Sequence, residues 1–278
     1  MKILYSGTAA AEGVPAMFCS CPICKNLREN YKGYVRTRSQ IIIDDVLSVD
    51  FPPEAFSHSL SQAIDLSSLR YALITHSHMD HFYAHDFILR GYKYASLECD
   101  VLEIYGNAEV SKVFSECTAR EMKSEVRTHV RMNTIGAFKE LKIGDFRVLT
   151  IPALHGTREE ALLYYIERGG KGYLHLYDTG EISSEAIAFL AEKGAKADVV
   201  SFDCTFLDAP PVVGTRHMCI ATVAGIRERL LAAGVMSGGT RSVITHFSHN
   251  ANPTPERLAA IEKKYSVTAA YDGIVIDI

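Results

Sequence analysis

The sequence predicts an α/β (α+β) fold in which two β-sheets pack against each other and helices cover their outer faces. Two observations support this prediction. Short apolar runs typical of buried strands dominate the first part of the 278-residue chain, and similar runs alternate with helical patterns in the second part. Each apolar sheet face must be covered by another element, and two packed sheets with helices outside meet that need. Since no linker or low-complexity tract divides the chain, we expect one domain over residues 1–278.

Nine apolar runs have the length and composition of strands. They cover residues 2–5, 40–49, 71–74, 146–151, 161–166, 173–177, 199–202, 242–245 and 268–276. Helical periodicity predicts four helices, over 82–94, 183–193, 217–232 and 255–264. Ser183 or Ser184 is a candidate N-cap for the second of these helices.

The composition limits the class of function. The chain is 47% hydrophobic with a net charge of −4, so it can bury a large core and offers no overall basic surface for a long nucleic acid. No apolar run approaches the length of a signal peptide core or a membrane span, and we therefore expect a cytoplasmic protein with no membrane contact. Seven cysteines, an odd number, do not indicate a disulfide framework.

The most informative motif is the segment Thr-His-Ser-His-Met-Asp-His at residues 75–81. It places four metal-binding side chains, His76, His78, Asp80 and His81, between a predicted strand and a predicted helix. In an extended segment His76 and His78 face the same side, and a turn can present the other two to a second ion. Imidazole and carboxylate suit Zn, Mn or Fe. The segment therefore predicts half of a binuclear metal site.

Further candidate ligands follow later strands. His155, Asp178 and His246 each lie just after an apolar run, where the ends of strands bring loops together. Other histidines, His58, His129 and His175, lack such a context and are predicted to be ordinary surface or core residues.

This series, HxHxDH followed by a lone His, a lone Asp and a final His, resembles the metallo-β-lactamase-fold hydrolases over nearly the whole chain. The resemblance implies a four-layer αββα sandwich with the site at one edge of the two sheets. It also implies that His76, His78 and His155 bind one divalent ion, that Asp80, His81 and His246 bind the other, and that Asp178 bridges them. The two ions would be Zn or Mn and would share a nucleophilic hydroxide. His78 stands where the oxygen-reducing branch usually has Glu, which favours a hydrolase.

Three cysteines near the N-terminus, Cys19, Cys21 and Cys24, predict a second kind of metal site, because clustered thiolates select Zn and a structural zinc needs four ligands. His249, three residues after His246, is the candidate for the fourth ligand. Together with Gly7-Thr8 and Gly13-Val14-Pro15, these residues resemble the PhnP type, an accessory phosphodiesterase of the carbon-phosphorus lyase pathway. The resemblance implies a structural zinc that holds an N-terminal loop, at about residues 13–30, beside the active site.

The segment Asp203-Cys204-Thr205-Phe206, followed by His217, resembles the phosphodiesterase branches of the superfamily, which include tRNA 3′-processing nucleases. In that pattern a histidine that does not bind metal assists the leaving group. The resemblance implies that His217 is the general acid, and that Asp80 serves catalysis together with the metal ions.

The sequence therefore predicts a binuclear metal-dependent phosphodiesterase that hydrolyses a small linear or cyclic phosphodiester. A carboxyl-ester, thioester or lactam hydrolase of the same fold is an alternative, as is a tRNA-processing nuclease, which would need a basic surface. A non-enzymatic binding module organised by the cysteine site is a third alternative. The expected partner is the small substrate, and a homodimer remains open.

Overall fold

The fold is described by a computed structural model over residues 1–30, 34–156 and 158–278. Its strands are β1 (Lys2–Gly7), β2 (Gln40–Ile43), β3 (Leu47–Val49), β4 (Tyr71–Leu73), β5 (Leu102–Gly106), β6 (Val130–Thr134), β7 (Glu140–Ile143), β8 (Phe146–Pro152), β9 (Leu162–Arg168), β10 (Lys171–Leu176), β11 (Val199–Asp203), β12 (Arg241–Thr245), β13 (Thr268–Ala269) and β14 (Ile274–Asp277). Its α-helices are α1 (Pro22–Asn30), α2 (Ala55–Ser61), α3 (Ala108–Thr118), α4 (Ser124–Arg127), α5 (Ser184–Glu192), α6 (Ile220–Ala232) and α7 (Pro255–Tyr265).

The strands form two seven-stranded sheets. The first has the order β14-β1-β2-β3-β4-β5-β6 and the second has the order β13-β12-β11-β10-β9-β8-β7. Strands β3 to β6 are parallel to one another, and so are β10 to β13. Both sheets therefore direct several carboxyl-terminal strand ends to one edge, where loops can gather functional side chains.

Three apolar clusters show how the layers pack. The inner cluster takes Ile3 and Ile41 from the first sheet and Leu162 and Tyr164 from the second, so the two sheets pack face to face. The outer face of the first sheet packs against helix α3. The outer face of the second packs against α5, α6 and α7. Fully burying each aliphatic side chain contributes about 1.5–3 kcal/mol. The predicted four-layer αββα sandwich is confirmed.

Two of the predicted strands are each two strands in the structure. The run 40–49 is a hairpin of β2 and β3, because Asp44 and Asp45 adopt left-handed backbone conformations and turn the chain. The run 268–276 is divided between the two sheets, since β13 pairs with β12 and β14 pairs with β1. Strands β5, β6 and β7 and helices α1, α2, α3 and α4 were not predicted from the sequence.

The helix predicted over 82–94 is wrong. The backbone of Phe51 accepts from Tyr83 and donates to His81, which holds this part of the chain extended, so a 3-10 helix begins only at Ala84. This short helix, Ala84–Leu89, ends before Gly91, whose φ of +97° turns the chain away. The α5 prediction is confirmed together with its cap, because the Ser183 side chain accepts from the Ala186 amide. Helix α6 begins at Ile220 rather than at residue 217.

No helix within residues 1–30, 34–156 and 158–278 has both the length and the apolarity that a membrane crossing requires.

Candidate metal centre

The first cluster of metal-binding side chains joins the two sheets. His76 and His78 lie on the turn after β4, whereas His155 follows β8 and Asp178 follows β10. His76 Nε2 lies 2.9 Å from His78 Nδ1 and 3.1 Å from Asp178 Oδ2. His155 Nε2 lies 3.2 Å from His78 Nδ1. Donor atoms that share one ion at about 2.1 Å lie roughly 3–3.5 Å apart, so these four groups have the spacing of one coordination sphere.

A second cluster lies on the other side of Asp178. His81 Nε2 is 3.2 Å from Asp80 Oδ2 and 3.0 Å from Asp178 Oδ2. His246, directly after β12, places its Nε2 atom 3.9 Å from Asp178 Oδ1. The ligand atoms of all four groups lie within 4.8 Å of one another. Asp178 therefore belongs to both clusters.

The chemistry of these atoms fits divalent ions. Among the residues that the structure describes, His81 Nε2, His246 Nε2 and Asp178 Oδ1 are buried and have no hydrogen-bond partner. Buried polar atoms in proteins are normally paired, and unpaired ones cost free energy. All of them point into the clusters, where a cation would satisfy them. Mixed nitrogen and oxygen ligands suit Zn or Mn.

Charge in the clusters is strongly coupled. Burial alone would lower the pKa of His81, but the Asp80 and Asp50 carboxylates hold it well above its usual value. Burial alone would raise the pKa of Asp178, but His246 and His76 hold it well below its usual value. The carboxylates thus stabilise positive charge in the clusters, whether a proton or a metal ion carries it.

The backbone is strained where these residues lie. Asp50, Asp178 and His246 have φ values of 62°, 54° and 62°, in the left-handed region that non-glycine residues seldom adopt. Each directly follows a strand or lies within two residues of its end. Such conformations cost about 1–3 kcal/mol each and are concentrated at functional sites, where they direct a side chain that regular structure would direct elsewhere.

Two carboxylates support the candidate ligands from outside, and neither was assigned a role from the sequence. Asp50 directly follows β3 and lies 2.6 Å from His81 Nδ1. Asp203 is the last residue of β11 and lies 3.4 Å from His246 Nδ1. Both carboxylates are completely buried. The signal available in the sequence was that each is an acidic residue at the end of an apolar run.

His217 lies beside both clusters. Its Nδ1 atom is 3.0 Å from Asp203 Oδ2 and 3.4 Å from Asp178 Oδ1, and its ring stacks on that of His246 with centroids 5.4 Å apart. Burial would lower the pKa of His217, but the hydrogen bond to Asp203 raises it above its usual value. The side chain is 26% exposed, so the imidazole reaches the opening of the site.

The structure also brings together the three cysteines and His249. Cys24 Sγ lies 3.4 Å from His249 Nδ1, and Cys21 Sγ lies 3.8 Å from the same atom. The ligand atoms of Cys19, Cys21, Cys24 and His249 all lie within 4.8 Å of one another. A hydrogen bond from the Cys24 amide lowers the pKa of Cys21 to about 6, whereas burial raises the pKa of Cys24 to about 11, so Cys21 is the readier of the two to form the thiolate that zinc requires. This set fits a four-ligand zinc site.

The two sheets, with paired His and Asp clusters at one edge, define a metallo-hydrolase of αββα architecture. Residues 40–247 match the profile of the β-lactamase superfamily domain. The chain belongs to this superfamily, in agreement with the resemblance of its sequence to the metallo-β-lactamase-fold hydrolases. A comparison with curated proteins found no significant match.

Several solved structures have the same fold. A diphosphatase of the PhnP family is 17% identical, with a TM-score of 0.70 over 100% of this chain and 97% of that one. Zinc-bound PqqB from Methylobacterium extorquens is 20% identical, with a TM-score of 0.68 and all of both chains covered. The short form of human tRNase Z is 16% identical, with a TM-score of 0.69 over 100% of this chain and 99% of that one. At these identities the similarity establishes the fold.

Proposed function

We propose that this chain is a metal-dependent phosphodiesterase that hydrolyses a small linear or cyclic phosphodiester. His76, His78 and His155 would hold one divalent ion, Asp80, His81 and His246 the other, and Asp178 would bridge them. Two bound divalent ions activate a water molecule and neutralise charge on the phosphate oxygens. Zn or Mn fits this mixed set of ligands.

The position of His217 is the observation that favours phosphodiesters as the substrate class. Its Nδ1 atom faces Asp203 at 3.0 Å, so its Nε2 atom, on the opposite side of the ring, is available to a substrate. Breaking the ester bond of a phosphodiester releases an alkoxide that must gain a proton. His217, as the imidazolium, donates that proton from Nε2 to the leaving oxygen as the P–O bond breaks. Asp203 orients the ring and stabilises its charged form.

The test compares leaving groups in the wild type and in His217→Ala. An alkyl phosphodiester has a poor leaving group, so we expect its hydrolysis to fall by about 10²- to 10⁴-fold in the variant. A nitrophenyl leaving group hardly needs protonation, and its hydrolysis should fall far less. Equal losses on the two esters would show that His217 is not the acid.

His217 could instead be a metal ligand, since Asp178, Asp203, His217 and His246 also lie within 4.8 Å of one another. The metal content of the His217→Ala variant separates the two roles. A general acid can be removed without losing an ion, whereas removing a ligand lowers the metal content or the affinity.

Within the superfamily we assign the chain to the PhnP type. The Cys19, Cys21, Cys24 and His249 cluster supports this assignment, as does the similarity to a PhnP-family diphosphatase. A tRNA-processing role, suggested by the fold shared with tRNase Z, is less favoured by the net charge of −4. Salt-dependent binding of tRNA in a gel-shift assay would support that role. A chain that cleaves a lactone or a thioester but no phosphodiester would instead be a carbonyl hydrolase of the same fold.

A further inference from the structure

The first cluster draws its ligands from both sheets, so its geometry depends on what holds the sheets together at this edge. His76 and His78 belong to the turn after β4 in the first sheet. His155 lies in the connection between β8 and β9 of the second sheet. A shift of either segment by a fraction of an ångström changes the distance between His155 and the other two imidazoles, and ion binding is sensitive to such shifts.

Glu159 connects the segment that carries His155 to the turn that carries His76 and His78. It lies four residues after His155, in the same loop, and its carboxylate accepts from the Ser77 amide at 3.0 Å and from Ser77 Oγ at 2.7 Å. Ser77 is the residue between His76 and His78. The same carboxylate accepts from Asn107 Nδ2 at 2.7 Å. One side chain of the second sheet therefore bonds both to the metal-binding turn of the first sheet and to the residue that follows β5.

Asn107 is itself held firmly. Its side-chain oxygen accepts from the Val110 amide and caps helix α3, while its amide nitrogen also donates to the Glu160 carbonyl at 2.9 Å. Asn107 is buried, with 3% of its surface exposed. Glu159 thus connects the metal-binding turn to a rigid part of the first sheet and not to a free loop.

We propose that Glu159 is a positioning residue for the ion of the first cluster. It fixes the separation between His155 and the pair His76 and His78, and it orients the Ser77 peptide so that both imidazoles face the same side. Other bonds across the sheets, such as Leu162 amide to Thr75 carbonyl at 2.8 Å, join the strands themselves. Glu159 joins the loop that carries His155. This inference rests on the proposed function, because it assumes that the clusters bind ions.

The carboxylate holds the turn by charge-assisted hydrogen bonds. Oε1 accepts from Ser77 Oγ at 2.7 Å, Oε2 accepts from Asn107 Nδ2 at 2.7 Å, and the Ser77 amide lies 3.2 Å and 3.0 Å from these two oxygens. A glutamine has one accepting oxygen and no charge. If that oxygen stays with Asn107 and the Ser77 amide, the NH₂ group takes the place of Oε1, and the Ser77 hydroxyl must turn to accept from it. Glu159→Gln therefore keeps the size of the side chain but loses the charge-assisted bonds to Ser77 and Asn107.

The experiment measures zinc binding to chelator-treated protein by calorimetry or by a competing dye. His155→Ala first identifies which ion depends on the first cluster. We expect Glu159→Gln to lower the affinity for that same ion by about 10- to 100-fold, the usual effect of removing a group that orients a ligand. The other ions and the melting temperature of the metal-free protein should stay at wild-type values. Ser77→Ala keeps the backbone bond and loses the hydroxyl, so a smaller loss of about three- to tenfold is expected.

Glu160→Gln is the matched control, because it removes the same charge one residue away without touching Ser77. Wild-type affinities for all ions in Glu159→Gln would overturn the proposal. So would a uniform loss of all ions with a lower melting temperature, since that outcome reflects a general role in folding. If Glu159→Gln does not fold, a wild-type affinity in Ser77→Ala would overturn it. If His155→Ala binds as many ions as the wild type, the proposed function itself is overturned, and this proposal with it.

Discussion

The Nδ1 atom of His81 lies 2.6 Å from Oδ2 of the buried Asp50, on the side of the ring away from Asp80 and Asp178. An acceptor at this distance keeps the ring proton on Nδ1 and leaves Nε2 free to bind an ion. Asp50 also accepts from the amide and the hydroxyl of Thr75, directly before the metal-binding motif. One carboxylate thus sets both the tautomer of a ligand and the start of the motif.

The first prediction concerns Asp50→Asn. Asparagine tolerates the left-handed φ of 62° and can still accept from Thr75, so the fold should be kept. Its NH₂ group would face His81 Nδ1 and move the ring proton to Nε2, where it blocks ion binding. We expect the affinity for one active-site ion to fall about 10- to 100-fold, measured by zinc titration of chelated protein. Asp145→Asn, at an exposed position, is the control, and equal affinities in both variants would contradict the role given to Asp50.

The second prediction concerns Asp203 and His217, which we expect to act as a unit. Asp203→Asn keeps an oxygen that can accept from the Thr205 and Met218 amides but loses the charge that faces His217 Nδ1. The turnover of an alkyl phosphodiester should fall about 10- to 100-fold. The loss in the double variant with His217→Ala should be smaller than the product of the two single losses, because interacting residues are not additive. Multiplied losses in the double variant would show that the two residues act separately.

The third prediction concerns Cys24→Ser. Cys24 is completely buried, its Sγ lies 3.4 Å from His249 Nδ1, and the Ala16 amide donates to the same sulfur at 3.3 Å. We expect elemental analysis to find about one zinc fewer per chain and the melting temperature of the metal-loaded protein to fall, with the active-site ions retained. Cys99→Ser, half-buried and outside the cluster, should change neither value. Unchanged metal content in Cys24→Ser would remove the basis for a structural zinc.

The order of the candidate ligands could be predicted from the sequence because each follows an apolar run, and parallel strands bring their ends to one edge. Asp50 and Asp203 obey the same rule, yet nothing in the sequence distinguishes a carboxylate that binds an ion from one that supports a ligand. Only the fold shows that Asp50 lies behind His81. The contact of Glu159 could not be predicted from the sequence for another reason. Its partner Ser77 is 82 residues away and on the other sheet.

The incorrect prediction of a helix over 82–94 has a similar cause. Its apolar periodicity is real, because Phe87 is buried against the first sheet, but the backbone of Tyr83 is already bonded to Phe51. A bond between segments more than thirty residues apart overrides a local pattern.

The fourth prediction concerns the pH dependence of stability and His58. Burial lowers the pKa of this histidine to about 4, and only 2% of its surface is exposed. Its ring atoms lie 2.7 Å from Gln40 Oε1 and 2.7 Å from Thr37 Oγ1. An unfolded chain takes up the proton near pH 6.5, so neutral His58 stabilises the fold above that pH. This contribution is lost as the pH falls from about 6.5 to about 4.

We expect the stability advantage of wild type over His58→Asn to shrink by at most about 3 kcal/mol over that range. Urea unfolding of the metal-free proteins at a series of pH values measures it, with the exposed His85→Asn as control. A difference between wild type and His58→Asn that does not change with pH would show that His58 has the same pKa in the folded and the unfolded protein.

The fifth prediction concerns Gly180, two residues after the bridging Asp178. A Cβ atom at this position would lie 2.0 Å from the Thr215 carbonyl and 3.1 Å from Leu154 Cδ2, so Gly180→Ala must push these two segments apart. Thr215 also donates its hydroxyl to the His217 carbonyl, and Leu154 directly precedes His155. The methyl group would therefore move the proposed acid away from the clusters. We expect phosphodiester turnover to fall at least about tenfold, since small misplacements of reacting groups are costly.

Gly225→Ala, in helix α6, is the matched control, because a Cβ there meets nothing within 4 Å. Alanine is the better helix former by about 1 kcal/mol, so this variant should be at least as stable as wild type and fully active. The comparison separates steric displacement from the general effect of replacing a glycine. Full activity in Gly180→Ala would mean that the Thr215 segment can shift without moving His217, and the acid would then be positioned by Asp203 alone.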